Sequence, residues 1–169
     1  FPETLQYRDN LISVLGLKNV KTIYPDYNDV MRSDADGCLW ESNPNSCCTI
    51  RKVLPLQRAL KHYDVVITGR KRFHGGMRSS LPLFEAQEGR VKLNPLADWS
   101  AADIRAEYER SNLPKHPMQP EGYLSVGCIP CTDLPSDADD VRSGRWKGQD
   151  KEECGIHLGP DGKFQRSNS

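Results

Sequence analysis

Six cysteines are the residues of this chain best suited to chemistry, and their spacing is uneven. Cys47 and Cys48 are adjacent, Cys128 and Cys131 enclose the CIPC segment, and Cys154 and Cys38 each stand apart. Four thiolates drawn from two pairs can hold zinc or an iron–sulfur cluster, since both accept all-cysteine ligation. Structural zinc usually draws on two CxxC-like knuckles, whereas direct neighbours such as Cys47 and Cys48 would point about 100° apart on a helix. A cluster with several irons offers separate corners to adjacent residues. On spacing alone the plainer reading also stands, in which Cys47 and Cys48 are small buried apolar side chains.

Cys154 lies in KEECGIHLGPDG, where Gly155, Gly159 and Gly162 favour a mobile segment and His157 is within local reach. A thiol becomes a nucleophile when it ionises. Lys151, His157 or arginines brought near by folding would favour ionisation, and Glu152 and Glu153 would oppose it. Taken singly, a cysteine or histidine near the end of a chain is more often inert than catalytic.

Basic residues accompany both cysteine pairs. Arg51 and Lys52 follow Cys47 and Cys48 by one helical turn, so one or both can return toward the sulfurs, although an Arg-Lys dipeptide is more often a solvated helix face. Arg70, Arg72, Arg78, Arg142 and Arg145 sit on glycine-containing loops, and planar guanidinium groups suit phosphate and sulfate oxygens. Any one of them could equally be a solvated loop charge.

The elements that must position these residues alternate between helix and strand. Leu5, Leu11, Ile12 and Leu15 follow helical spacing and Gly16 is a suitable stop. Residues 20–24 (VKTIY) and 64–69 (DVVITG) predict two short strands of a buried parallel sheet. Between them, residues 47–63 predict a helix that kinks or restarts at Pro55. The basic loop 69–80 (GRKRFHGGMRSS) leaves the carboxyl end of the second strand, where open α/β folds bind ligands. Two apolar pieces, LPLFE and VKLNP, precede a helix over 100–110, in which Ser100 and Asp103 approximate a capping box. From Leu113 onward, prolines, glycines and short polar runs predict loops, and loops commonly carry function. The fold class is therefore α/β.

At 169 residues the chain is expected to form one domain of ordinary size, with 148–169 as a mobile C-terminal tail. Lysine plus arginine and aspartate plus glutamate balance at 23 each, so no global charge points to nucleic acid or to a membrane surface. No apolar run reaches transmembrane length and FPETLQYRD has neither the basic start nor the apolar stretch of a signal peptide, so a cytoplasmic protein is expected. In that setting six cysteines favour metal or redox chemistry over disulfides.

Four blocks together carry a family resemblance. Cys47-Cys48-x-x-Arg51-Lys52-Val53-x-Pro55-Leu56-x-Arg58-Ala59-Leu60, Gly122-Tyr123-x-Ser125-x-Gly127-Cys128-x-Pro130-Cys131-Thr132, Arg142-Ser143-Gly144-Arg145-Trp146 and Glu153-Cys154-Gly155-Ile156-His157 resemble the assimilatory adenylyl-sulfate reductases, the iron–sulfur branch of the sulfonucleotide reductases. The initial FPET resembles the end of that family's LDTG-x-x-FPET segment. This places the family's nucleotide-binding loop before Phe1, so the N-terminal part of the fold is expected to be missing.

The resemblance implies an adenine nucleotide alpha hydrolase-like parallel sheet flanked by helices. It also implies a [4Fe–4S] cluster on Cys47, Cys48, Cys128 and Cys131, with Cys154 as nucleophile. Lys52, Arg78, Arg142 and Arg145 would approach the phosphosulfate, and His157 belongs to the signature around the nucleophile. The implied reaction reduces adenosine 5'-phosphosulfate to sulfite and AMP through an S-sulfocysteine, with thioredoxin or glutaredoxin as reductant and a homo-oligomer possible. Loop 70–78 differs from the family's Arg-Arg-x-Gln-Ser pattern, which leaves Arg70, Arg72 and His74 without assigned roles, and Cys38 has no place in the motifs. Two rivals stand beside this reading. One is a reductase of 3'-phosphoadenosine 5'-phosphosulfate, a branch that typically lacks the four cluster cysteines. The other is a four-cysteine zinc module binding nucleic acid through Arg70, Lys71, Arg72 and Arg78.

Overall fold

Short helices, tight turns and one small sheet make up the fold, which was obtained as a computed structural model and describes residues 1–157 except 88, 138, 150 and 152. The chain divides into two units. The first comprises Phe1–Lys21, Arg70–Leu81 and Asp98–Asp150, and the second Thr22–Gly69, Pro82–Ala97 and Lys151–Ser169. The mobile tail expected over 148–169 falls largely outside the described residues.

In the first unit, helix α1 (Pro2–Val14) starts at a proline that needs no N–H at that position. It ends as the sequence predicts: Gly16 takes φ +60°, its N–H bonds to the Ser13 carbonyl and the Leu17 N–H to that of Ile12, closing the last turn. Tyr7 donates to the Pro114 carbonyl at 2.8 Å, Thr4 pairs with His116 at 3.0 Å, and Phe1 packs edge-on against Tyr123, so α1 is fastened to residues 114–123. Burial pushes the Tyr7 hydroxyl up to about 12, with Tyr108 adding to the rise. A further helix (Ala101–Arg110) carries the expected capping box: Ser100 Oγ accepts from the Asp103 N–H at 3.1 Å, and the Asp103 carboxylate accepts from the Ser100 N–H at 2.8 Å.

In the second unit, Asp26 caps helix α2 (Tyr27–Ser33), helix α3 (Leu39–Ser42) follows, and Asn43 caps helix α4 (Pro44–Cys48). Residues Thr49–Val53 then form a π-helical turn, in which the Leu54 N–H bonds back five residues to Thr49, before helix α5 (Leu54–Leu60). Pro55 explains the change. It has no N–H for the Arg51 carbonyl and its ring crowds that carbonyl, so the helical ladder widens before it and restarts at it.

The sheet follows the order β1 (Val65–Ile67), β3 (Arg90–Leu93), β2 (Phe84–Gln87). Val65 pairs with Val91 in parallel, and Phe84 with Leu93 in antiparallel register. The sheet is thus mixed, not wholly parallel. LPLFE and VKLNP lie close enough in sequence to fold back as a hairpin, with Gly89 at φ +76° in the connection. The strand predicted over 20–24 does not form. None of the described strands flanks it, and Val20, Ile23 and Tyr24 are exposed, so its β-branched composition has neither ladder nor core to hold it. Asn94 is fully buried at the end of β3. Its amide donates to the Pro82 carbonyl at 2.8 Å and to Glu85 Oε1 at 2.6 Å and accepts from Thr68 Oγ1, tying the carboxyl end of β1 to the hairpin.

Candidate active site

The second unit brings Cys47, Cys48, Lys52, Cys154 and His157 into one region. Cys48 ends α4 and is buried, whereas Cys47 faces partly outward, as adjacent residues on a helix must. Burial pushes the Cys48 thiol up to about 11. Lys151 and Lys52 pull against that rise, and the thiols of Cys154 and Cys47 add to it, so two ammonium groups and three sulfurs share one electrostatic neighbourhood. Lys151 is fixed there by its bond to Asn45 Oδ1. Arg51 Nη1 approaches the Cys47 sulfur at 3.7 Å, one helical turn on from it.

Gly155, Ile156 and His157, directly after Cys154, line a cavity of about 280 Å³ together with Val53 and Leu56 from the helix and Thr68 and Gly69 at the carboxyl end of β1. Gly155 is buried at φ +83°, a conformation other residues rarely adopt, which turns the chain immediately beyond the thiol. The candidate nucleophile therefore sits beside a concave space at a sheet strand's carboxyl end, where α/β folds place ligands.

The first unit holds Cys128, Cys131, Arg142 and Arg145. A 3-10 turn over Ile129–Cys131 closes the CIPC segment, the Cys131 N–H bonding to the Cys128 carbonyl at 3.0 Å, so one turn carries both thiols. The Arg142–Trp146 block locks against this segment. Thr132 bridges Arg145 in antiparallel pairing, the Trp146 N–H donates to the Cys131 carbonyl at 3.2 Å, and Arg145 donates to the carbonyls of Cys131 and Val126, each at 3.3 Å. The Arg145 and Arg142 guanidinium carbons stand 4.5 and 5.6 Å from the centre of the buried Trp146 ring. Arg145 is thus a brace of the cysteine segment, a role that its motif position did not disclose.

Two glycines make that brace possible through close approach. A Cβ on Gly127 would lie 2.0 Å from Arg145 Nη2, and one on Gly144 would lie 2.2 Å from the Asp133 carbonyl oxygen. The second obstacle is backbone and cannot swing aside. Gly144→Ala should accordingly lower stability by roughly 1–3 kcal/mol through overpacking, read as a lower urea midpoint with little change in slope.

Loop 70–81 uses its basic residues differently from one another. Arg70 is buried, and Arg72 donates to the Leu81 carbonyl at 2.7 Å and pairs with Asp98. Arg78 faces His74 Nδ1 at 3.2 Å, and burial, helped by the Arg78 charge, lowers the Lys71 pKa. Cys38 is exposed, with its thiol pushed up by Asp36, burial, Glu41 and Asp34, the opposite of an activated nucleophile.

Residues 1–134 match the phosphoadenosine phosphosulfate reductase domain family. The chain belongs to that family. The match includes both cysteine pairs, while Arg142, Arg145, Cys154 and His157 lie beyond it. The chain is 46% identical over 159 residues to the adenosine 5'-phosphosulfate reductase of Mesorhizobium japonicum, covering 94% of this chain and 62% of that protein. It is 44% identical to the enzyme of the same name from a Chelativorans species, covering 94% and 64%. A crystal structure of phosphoadenylyl-sulfate reductase from Candida auris, a phosphate complex, aligns with a TM-score of 0.58 at 27% identity over 76% of this chain and 64% of that one. The chain thus spans less than two thirds of the length of these relatives.

Four cysteine thiols are the donor type that the cluster implied by the resemblance takes. Each pair has one buried member, Cys48 or Cys131. Arg51 directs an N–H at the Cys47 sulfur, as an outer donor to a thiolate ligand would. Among the described residues, no three or more His, Cys, Asp or Glu side chains are gathered into a metal-holding group; each unit carries one cysteine pair.

Proposed function

We propose that this chain carries the nucleophile and cluster cysteines of an adenosine 5'-phosphosulfate reductase. The observation that carries the reading is the placing of Cys154, Lys52 and Lys151 around Cys48, beside the cavity lined by Gly155, Ile156 and His157. Family membership and the names of the relatives support the substrate class. Cys47, Cys48, Cys128 and Cys131 would hold a [4Fe–4S] cluster, which when bound supplies an ordered anchor for the segments bearing those cysteines.

Every redox step is a thiol exchange. The Cys154 thiolate attacks the sulfonate sulfur, the bond from that sulfur to the bridging oxygen breaks, and AMP leaves with the bonding electrons, giving S-sulfocysteine. A thiol of thioredoxin or glutaredoxin then attacks the Cys154 sulfur, sulfite departs with the sulfur–sulfur bonding pair, and the reductant's second thiol resolves the mixed disulfide. Lys52 and Lys151 offer positive charge to an anionic substrate entering beside Cys154, and guanidinium groups at Arg78 and Arg142 suit its oxygens. Arg145 suits those oxygens in the same way and also holds the CIPC segment.

Sulfite release from adenosine 5'-phosphosulfate and from its 3'-phosphorylated form, compared in a protein extended to the length of the relatives and supplied with thioredoxin, tests the reading. Turnover of the unphosphorylated nucleotide at least about tenfold more efficient is expected, since a site built without a partner for the extra phosphate leaves that dianion unpaired. Preference for the 3'-phosphorylated nucleotide would assign the chain to the other branch.

A further inference from the structure

We propose that Asp34 is a positioning residue for the cysteine pair, holding the Arg51 guanidinium against the Cys47 sulfur and thereby securing Cys47 as a cluster ligand; this rests on the cluster reading above. Asp34 lies in the link between α2 and α3, and its side chain is 1% exposed, against 30% for Arg51. Its two oxygens are divided between two partners. Oδ1 accepts from the Leu39 N–H at 2.8 Å, and Oδ2 accepts from Arg51 Nη1. The same Nη1 faces Cys47 Sγ at 3.7 Å, so one guanidinium nitrogen stands between a buried carboxylate and the sulfur.

The arrangement has a physical purpose that neither pair has alone. Arginine has many rotamers, and without a fixed anion at its tip it would spend little of its time over a sulfur one turn away. Asp34 is itself fixed by burial and by Leu39, so it gives Arg51 a single seat. A charged N–H donor on a ligand sulfur stabilises the anionic form that metal binding requires. Outer groups of this kind commonly alter metal affinity by roughly ten- to a hundredfold.

Asp34→Asn keeps the side-chain volume and an acceptor for Leu39 while removing the charge that holds Arg51. The test is a double-mutant cycle on protein purified without oxygen, with iron and sulfide counted first and loss of visible absorbance then followed in excess chelator. Asp34→Asn and Arg51→Gln should each bleach roughly tenfold faster than wild type, and the double variant no faster than Arg51→Gln. A merely structural role for Asp34 would instead speed bleaching in the Arg51→Gln background by as much as in wild type, and that result overturns the proposal. So does a wild-type rate in Asp34→Asn. If Asp34→Asn does not fold, Arg51→Gln alone decides, because a wild-type rate there leaves Asp34 nothing to act through. Wild-type protein lacking iron would sink the cluster reading itself, whereas iron-loaded wild type with unaltered variants sinks only the role of Asp34.

Discussion

Cys154→Ser is expected to lower sulfite release by at least about a thousandfold while iron content and folding stay at wild-type levels. An alcohol is scarcely ionised at neutral pH, and a serine sulfate ester has no sulfur–sulfur bond for the reductant to cleave, so both halves of the reaction fail together. The effect should be confined to chemistry, because the brace on the CIPC segment involves Arg145, Trp146 and Thr132 and makes no use of Cys154. Cys38→Ser is the matched control. Its thiol is exposed and pushed up by Asp36, burial, Glu41 and Asp34, so its loss should leave sulfite release within about twofold of wild type. Steady-state sulfite assays on both variants, normalised to iron, check the pair.

Cys131→Ser should have the second large effect, loss of most of the bound iron together with the visible absorbance. Serine keeps the size of the side chain but offers a harder oxygen that binds iron poorly at neutral pH, and metal affinity depends steeply on ligand type. Cys131 is also the buried member of its pair, and its carbonyl accepts from Arg145 and from the Trp146 N–H. These backbone contacts survive the substitution, so the far-UV circular dichroism spectrum should change little even as colour disappears. Cys48→Ser, at the other buried position, should behave alike. Iron and sulfide analysis of protein handled without oxygen checks both. Stoichiometric zinc in the wild type would replace the cluster with a colourless four-thiolate site.

Features encoded in a few consecutive residues were legible in the sequence. The Ser100–Asp103 capping box and the stop at Gly16 both formed, since each depends on groups within one helical turn. Pro55 foretold a break in the helix but not its form, because whether a ladder kinks, widens or restarts depends on what packs around it. The strand expected at 20–24 failed for the complementary reason: β-branched composition describes a surface that fits a sheet, and only a neighbouring strand makes it one. The parallel β1–β3 pairing was foreseeable in kind, while the antiparallel β2 turned an expected parallel sheet into a mixed one.

The candidate site divides in the same way. Arg51 could be placed near Cys47 from its spacing alone, but Asp34 lies seventeen residues before Arg51 and no local pattern joins them. Gly127 and Gly144 stand in the motif blocks, but the physical need for them emerges only when Arg145 and Asp133 arrive against them. Arg145 carries more than motif reading shows. A guanidinium in a glycine-containing loop suggests an anion, and the fold also sets it against two carbonyls and an indole ring.

In the proposed reaction Cys154 accepts the sulfonate. Protein extended to the length of its relatives, incubated with adenosine 5'-phosphosulfate before any reductant is added, should gain one sulfonate per chain. Peptide mass spectrometry should place that mass on the fragment containing Glu153, Cys154 and Gly155, and thioredoxin should remove it with release of sulfite. A sulfonate on Cys38, or turnover in the absence of any modified Cys154 peptide, would contradict the mechanism.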